Sequence, residues 1–346
     1  MNQGWSPLGR IALVLAIWGG IPSQGLQAET VKEVRKKMGS RFEITVVHND
    51  EAAAQKAIEA GFQEIERIEN LISSWREDSE TNRIQRLAGQ QPVVVSEELF
   101  ELIRRSLKVS RLTDGAFDIT FATVGNLWDF KAAEPKLPAQ SKIDQALKAV
   151  GYRNVVLDET SRTVFLRHPE TRIGFGAIGK GYAANRTVKL LKELGARGGV
   201  VNAGGDLLVF GRREDGQVWR VGIADPVDRD STFAYLKVTD LAVVTSGDYE
   251  SFFVFDGKTY SHILDPRTGF PVEEVRGVTV LCPDAELADA LATSVSVLGI
   301  NEGLELVDQL TGVEALLVDR AGNLHSSRNL TTLLEQEGRE KETTDR

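Results

Sequence analysis

Between residues 199 and 282 the chain is a succession of short β-rich segments, and that succession constrains the fold more than any other feature. "GVVNAGGDLLVFG", "WRVGIAD", "FAYLKV", "LAVVTSG", "SFFVFDG" and "VTVLC" are separated by turns bearing Gly and Asp. Segments joined in this way pair as antiparallel neighbours, so an antiparallel sheet is expected. Helical patterns lie on either side of it. After Asn49 or Asp50 as cap, Ala54, Ile58, Phe62, Ile65, Ile68 and Ile72 recur at three- and four-residue steps, which marks one buried helix face. Strands mixed with helices, without strict β–α alternation, give an α+β class rather than a doubly wound parallel sheet.

The remaining elements fill in around this frame. "RFEITVV" (41–47) alternates as a strand, 73–83 reads as a polar loop carrying Trp75, and "PVVV" is a short strand. Ser96 caps a helix that ends before "TDG". Residues 114–130, "DGAFDITFATVGNLWDF", match neither the helical nor the strand period. A short helix is expected from Ser141 to about Val150, then a hairpin of "NVVLD" and "TVFLR", and a helix stopped by Gly195. Asp284 caps a helix in which Leu287, Leu291, Val295 and Leu298 share a face. A last hairpin precedes a polar tail at 331–346, expected to be disordered.

Residues 1–28 stand apart. Arg10 is followed by the apolar run "IALVLAIWGGI" and then by "SQGLQA", ending in the small residue Ala28. This is the pattern of a secretory signal peptide, the alternative being an uncleaved N-terminal anchor. No cysteine lies near the cleavage position for lipid attachment, and no transmembrane segment is expected in the mature chain, residues 29–330 forming a single domain. The formal net charge is −9, which argues against a nucleic-acid binder. Cys282 is the only cysteine, so an intrachain disulfide and a Cys-rich zinc site are excluded.

"GFGAIGKG" (174–181) fits two phosphate-binding patterns and satisfies neither. The dinucleotide fingerprint needs a buried parallel strand before the glycines, but "VFLRHPETRI" looks like a charged hairpin arm. The P-loop needs a hydroxyl after the lysine, and Gly181 supplies none. What survives is a glycine-lined backbone opening a helix, with N–H groups and Lys180 favouring an anion; a tight turn with a solvated lysine is the plain alternative. Asp289 and Thr293, four apart on one helix face, are hard oxygen ligands suited to magnesium, or simply a solvated pair. His262 and Asp265 share the segment "YSHILDPRTGFPV".

Taken in order, "MGSRFEITV", "ISSWREDSETNRIQ", "TDGAFDIT", "NLWDF", "GAIGKGYAAN", "VNAGGDLLVFG", "VTSGDYE", "SHILDPRTGFPV" and "ADALATSVSVLG" resemble the ApbE-type flavin transferases over roughly residues 34–320. The resemblance implies an ApbE-like (T-fold-like) fold with two α+β subdomains around a flavin cleft. It implies FAD contacts at Met38, Trp75, Ala116, Phe117, Asp118, Gly174, Lys180 and Ile263, with Trp75 against the isoalloxazine. It implies Mg2+ held by the carbonyl of Ala177 with Asp289 and Thr293. Two departures stand out: Gly174 replaces an Asp common in the family, and "GNLWDF" replaces "VNLWGF".

The implied reaction moves FMN from FAD to a Thr or Ser hydroxyl of another protein and releases AMP. His262 is the expected base, with Asp265 to orient it. The implied acceptor is an exported subunit of a membrane redox complex carrying an Asp-Gly-x-Ser/Thr-Gly-Ala/Ser-Thr-like segment, which puts the enzyme in the periplasm or at the outer face of the inner membrane. Two other functions fit the same residues: a Mg-dependent FAD pyrophosphatase, and a non-catalytic exported FAD carrier.

Overall fold

The structure is a computed structural model that describes residues 28–132, 134–224, 232–248 and 251–330. The expected signal peptide, apart from Ala28, and the tail at 331–346 lie outside the described residues. The strands are β1 (Glu29–Lys37), β2 (Ser40–His48), β3 (Val93–Val94), β4 (Val155–Asp158), β5 (Thr163–Leu166), β6 (Gly198–Ala203), β7 (Asp206–Gly211), β8 (Trp219–Ala224), β9 (Thr232–Val238), β10 (Leu241–Gly247), β11 (Phe252–Phe255), β12 (Lys258–Ser261), β13 (Val275–Cys282), β14 (Glu314–Asp319) and β15 (Leu324–Ser326). The helices are α1 (Glu51–Ile72), α2 (Glu80–Arg86), α3 (Glu97–Leu112), α4 (Ala122–Gly125), α5 (Gln140–Leu147), α6 (Gly179–Glu193) and α7 (Ala285–Asp308).

Eight strands form one sheet in the order β1-β2-β6-β7-β10-β13-β14-β15. Every pairing in it is antiparallel, as the short Gly/Asp turns require. Its two faces are covered differently, and the alternation of side chains along each strand assigns them. Leu208, Phe210, Ala242 and Val244 face the core built with α1, α6 and α7. Val209 and Val243, one residue out of phase, face the β8–β9 hairpin through Val221 and Leu236. Full burial of each large side chain stabilises by roughly 1.5–3 kcal/mol, and Ile58, Phe62 and Ile65 of α1 are fully buried.

A second core joins α3 to the small sheet β3-β5-β4 and to the stretches around Phe117 and Phe175. Met38 and Leu287 pack against both cores. This is the α+β arrangement of two parts that the sequence leads one to expect.

The helix caps follow local chemistry. Asp50 accepts from Ala53 N at 2.7 Å, Ser96 from Leu99 N at 3.3 Å and Asp284 from Leu287 N at 3.0 Å, each satisfying an amide that the helix leaves open.

Three details differ from the sequence reading. The polar loop at 73–83 is shorter, because Ser79 caps α2 within it. "GVVNAGGDLLVFG" is two strands, reversed at Gly204 and Gly205, whose φ values of 72° and 114° favour glycine. And α7 is interrupted at Gly299 (φ 81°).

Candidate functional site

Five stretches of chain converge on one cleft. The loop after α3 brings Ala116, Phe117 and Asp118; the turn into α6 brings Gly174, Ala177 and Lys180; the segment after β12 brings His262 and Ile263; α7 brings Asp289 and Thr293; and β10 contributes Ser246. Ten of the residues expected from the sequence therefore line the same space. Phe121, Leu264 and Pro266 line it too, although no role was foreseen for them.

Close packing explains the glycine-rich turn. A Cβ at Gly181 would stand 2.1 Å from the Ala285 carbonyl oxygen and 2.9 Å from Asp289 Cβ. The start of α6 thus lies against α7, and only glycine fits after Lys180. This is the physical reason why the P-loop hydroxyl is absent here. The contact also aims the carboxylate: Gly181 N–H donates to Asp289 Oδ2 at 2.9 Å.

Lys180 is held from the opposite side. Its Nζ lies 2.5 Å from Oδ2 of Asp206, a residue only 3% exposed. That oxygen faces the ammonium as an ion pair and accepts no hydrogen bond of ordinary geometry. Oδ1 of Asp206 accepts from Thr245 N at 3.3 Å. Asp206 belongs to the recognised stretch "VNAGGDLLVFG", but nothing local to that stretch reveals that it reaches Lys180; the pairing exists only once the β6–β7 turn is laid beside α6.

His262 is half-buried, and both its backbone N–H and its ring engage Ser251. The N–H donates to the Ser251 carbonyl at 3.0 Å, and Nδ1 lies 3.1 Å from the same oxygen. A carbonyl can only accept, so Nδ1 carries the hydrogen and Nε2 is left as the basic atom. Burial pushes the imidazole below its ordinary value, and the nearby Lys180 charge acts in the same direction; the Ser251 bond and Asp248 oppose. The expected partnership with Asp265 is not formed. Asp265 receives the Arg267 backbone N–H at 2.8 Å and its guanidinium at 2.9–3.2 Å. The correction has a simple cause: in "DPRTG" the two residues sit on one tight turn, and the arginine takes the carboxylate. The Ser251 carbonyl orients His262 instead.

Three further expected residues sit differently. Asp118 lines the cleft, but its carboxylate organises the loop, accepting from Thr120 N and Oγ1 and from Tyr152 N. Burial raises its pKa against these bonds. Met38 stands behind the cleft, its Cε near the start of α6 at Gly179. Trp75, 82% exposed, lines an adjacent polar depression with Asn82, Arg86 and Arg172. Ala122 of that depression and Phe121 of the cleft both lie within van der Waals reach of Gly174, so the two spaces meet there.

The donor set suits a small hard cation. Asp289 is buried, its Oδ2 fixed by an amide, and Thr293 and Ala177 line the same cleft. All three are oxygen donors, too few to fill an octahedron, which leaves positions for water and substrate oxygens as magnesium prefers. Among the described residues no cluster of three His, Cys, Asp or Glu competes for a metal.

Comparison with known proteins gives a consistent result. The sequence model of the ApbE family matches residues 38–317. The chain is 33% identical over 285 residues to an FAD:protein FMN transferase of Klebsiella pneumoniae (strain 342), covering 82% of this chain and 87% of the relative. It is 32% identical to the FAD:protein FMN transferase of Treponema pallidum (strain Nichols), covering 89% and 90%. Among solved structures it is similar to the ApbE protein of Thermotoga maritima, with a TM-score of 0.82, 31% identity and coverage of 88% and 99%. The flavin transferase ApbE of Vibrio cholerae matches with a TM-score of 0.79 at 27% identity, covering 89% and 100%.

Proposed function

The chain belongs to the ApbE family and is a transferase of its FAD:protein FMN class, and on that premise we propose that it moves FMN from FAD to a Thr or Ser hydroxyl of an exported protein, with Mg2+, releasing AMP. The observation that carries this reading is the convergence of His262, Lys180, Asp289, Thr293 and Ala177, from separate stretches of chain, on one cleft. A protein that only carried FAD would need the concavity but not a base beside a cation and a hard-ligand set.

The steps follow from the placed groups. The α6 turn, where Lys180 and the helix N-terminus favour negative charge, would hold the FAD diphosphate, and Trp75 would meet its ring system. Asp289, Thr293 and the Ala177 carbonyl would hold Mg2+, which supplies charge neutralisation at the phosphoryl oxygens. His262 Nε2 takes the proton of the acceptor hydroxyl. The hydroxyl oxygen forms a bond to the phosphorus of the FMN half, and the P–O bond to the AMP half breaks; AMP leaves with the bridging oxygen. A positioned base of this kind contributes on the order of 10²–10⁴-fold. The Ser251 bond keeps the imidazole in the tautomer that leaves Nε2 free.

We further place the enzyme in the periplasm or at the outer face of the inner membrane, a location that the signal-peptide pattern of residues 1–28 supports, and its acceptor in an exported subunit of a membrane redox complex. The test is AMP release from FAD by the mature protein with magnesium, with and without a carrier protein bearing Asp-Gly-Ala-Thr-Gly-Ala-Thr. AMP that appears only with the carrier, alongside a fluorescent carrier band, is the expected result. AMP in both tubes would make the enzyme a pyrophosphatase, and bound flavin without AMP would make it a carrier.

A further inference from the structure

Where the large sheet stops, one arginine carries on the tie between its strands. The ladder of β10 with β13 ends at Gly247 and Gly277, and that of β13 with β14 at Val275 and Asp319. Arg320 is the next residue. The turn that presents it is built on Asp319, whose carboxylate accepts from Ala321 N and Asn323 N, each at 2.8 Å, as acidic side chains do in turns of this kind. Arg320 reaches three acceptors. Nε donates to the Glu273 carbonyl at 2.8 Å and Nη2 to the Val272 carbonyl at 3.3 Å, while Nη1 pairs with Oδ2 of Asp248. Asp248 is buried, and its backbone N–H donates to the Arg276 carbonyl at 3.0 Å.

The two segments joined in this way are the two that fix His262. Asp248 stands three residues before Ser251, whose carbonyl engages the His262 ring. Val272 holds the residue after His262: its N–H donates to the Ile263 carbonyl at 2.9 Å, and Leu264 bridges to Pro271. The imidazole thus hangs from one segment, and the carbonyl that orients it belongs to the other. A guanidinium suits such a junction, because its rigid fork presents donors in several directions at once. The buried Asp248 carboxylate needs a cation beside it, but that need does not account for the bonds to two backbone carbonyls of the facing segment. Arg320 itself is not among the residues that line the cleft.

We propose that Arg320 is a positioning residue for His262: by tying Asp248 to the Val272–Glu273 segment it keeps the Ser251 carbonyl against the ring and holds the imidazole in its Nδ1–H form. The role rests on the transferase reading, in which His262 is the base. In the Nδ1–H form the lone pair lies on Nε2, where the acceptor hydroxyl gives up its proton. If the two segments part, the ring loses that carbonyl, and an unconstrained neutral imidazole favours hydrogen on Nε2, which blocks the basic atom. Arg320 touches no reacting atom and acts through alignment alone. Its loss therefore lowers kcat and leaves FAD binding as it is.

The experiment is nitrogen NMR of isotope-labelled histidine in the mature protein at about pH 8, where the ring is neutral, with the His262 signals assigned from His262→Gln. Wild type is expected to hold the Nδ1–H form. Arg320→Ala is expected to move His262 toward the Nε2–H form and to lower kcat by about tenfold or more, with KM for FAD within about twofold of wild type. Arg320→Lys keeps a cation beside Asp248, so it serves where the Ala variant, with that carboxylate left unpaired, does not fold. A compact ammonium cannot span the same acceptors as the fork, so the Lys variant should show the same tautomer shift and a kcat loss of about threefold or more. An Nδ1–H form that persists in Arg320→Lys would overturn the proposal and leave Arg320 as a partner of Asp248 only. So would a loss of kcat in either variant with the tautomer unchanged. The tautomer is read without FAD or acceptor. A wild-type protein that transfers no flavin would therefore count against the transferase reading, while the shift in the variants would still establish the alignment of His262 by Arg320.

Discussion

In the proposed mechanism His262 and Lys180 do opposite jobs within one cleft, and each is held by a neighbour that contributes no reacting atom. Burial lowers the His262 pKa from its ordinary 6.5. The neutral base therefore persists at pH values where a free imidazole would already be protonated. The acid limb of kcat/KM should lie below pH 6.5, and His262→Ala should remove that limb along with about two or more orders of magnitude of transfer, while FAD still binds. Stability moves in the same sense. Below pH 6.5 the unfolded chain takes up a proton that the folded chain resists, so this residue's contribution to stability falls as pH drops toward its depressed folded value. An acid limb at or above pH 6.5 would mean that another group is the base. For Lys180 the supporting residue is Asp206. Asp206→Asn keeps an oxygen for Thr245 N–H but removes the charge facing the ammonium. We expect near-normal melting and a kcat lower by on the order of ten- to a hundredfold, because a reacting arrangement displaced by about 1 Å can cost that much. If Asp206 acts through Lys180, a Lys180→Met/Asp206→Asn double variant should be no slower than Lys180→Met alone; additive losses would give Asp206 a separate role.

At the level of elements, the critical joint is the start of α6 against the first turns of α7. Gly181→Ala would drive a methyl group into the Ala285 carbonyl, which neither helix can vacate without moving Asp289. The expected cost is roughly 1–3 kcal/mol, together with weaker magnesium activation, read from thermal melting and a metal titration. Wild-type metal response in that variant would show that α7 tolerates the shift. The same joint marks how far the sequence could be read. Helix α1, the caps at Asp50, Ser96 and Asp284, and the antiparallel strands were legible because each is written in local chemistry: a period, a capping side chain, a turn. Asp289 and Thr293 were legible as a pair because four residues make one helical turn. Strand β1 leaves no clear strand signal because "ETVKEVRKK" places only two valines among charges, as suits a strand at a sheet edge. The Asp265 carboxylate goes to Arg267 for a local reason too: the two lie two residues apart on one turn, whereas His262, in the segment just after β12, bonds to Ser251. Ser251 and Asp206 could not be found from spacing, since a backbone carbonyl leaves no residue-type signature and the Lys180–Asp206 pair spans two elements.

On the scale of the whole molecule, the two cores are tied where α3 meets α7. Arg105 of α3 donates to Glu286 of α7 at 2.8 and 3.1 Å, and Glu286 is 7% exposed. Burial raises the Glu286 pKa despite the arginine, which pulls it down. A carboxyl raised in the folded state favours folding most when protonated, so its contribution declines as pH rises through the raised value. Arg105→Ala removes the opposing charge and leaves the carboxylate buried without its partner. The loss at pH 8 should be roughly 2 kcal/mol; the arginine side chain is 40% exposed, which reduces the effect from the roughly 3–5 kcal/mol of fully buried pairs. At pH 5 the deficit should shrink, because Glu286 in the variant is closer to its neutral form. Adding Glu286→Gln to Arg105→Ala should recover part of the loss at pH 8 and little at pH 5. Thermal melting of the three proteins at the two pH values makes the comparison. An equal deficit at both would mean that Arg105 supports the junction by packing its stem rather than by pairing its charge. In that case the neutral substitution at Glu286 would restore nothing.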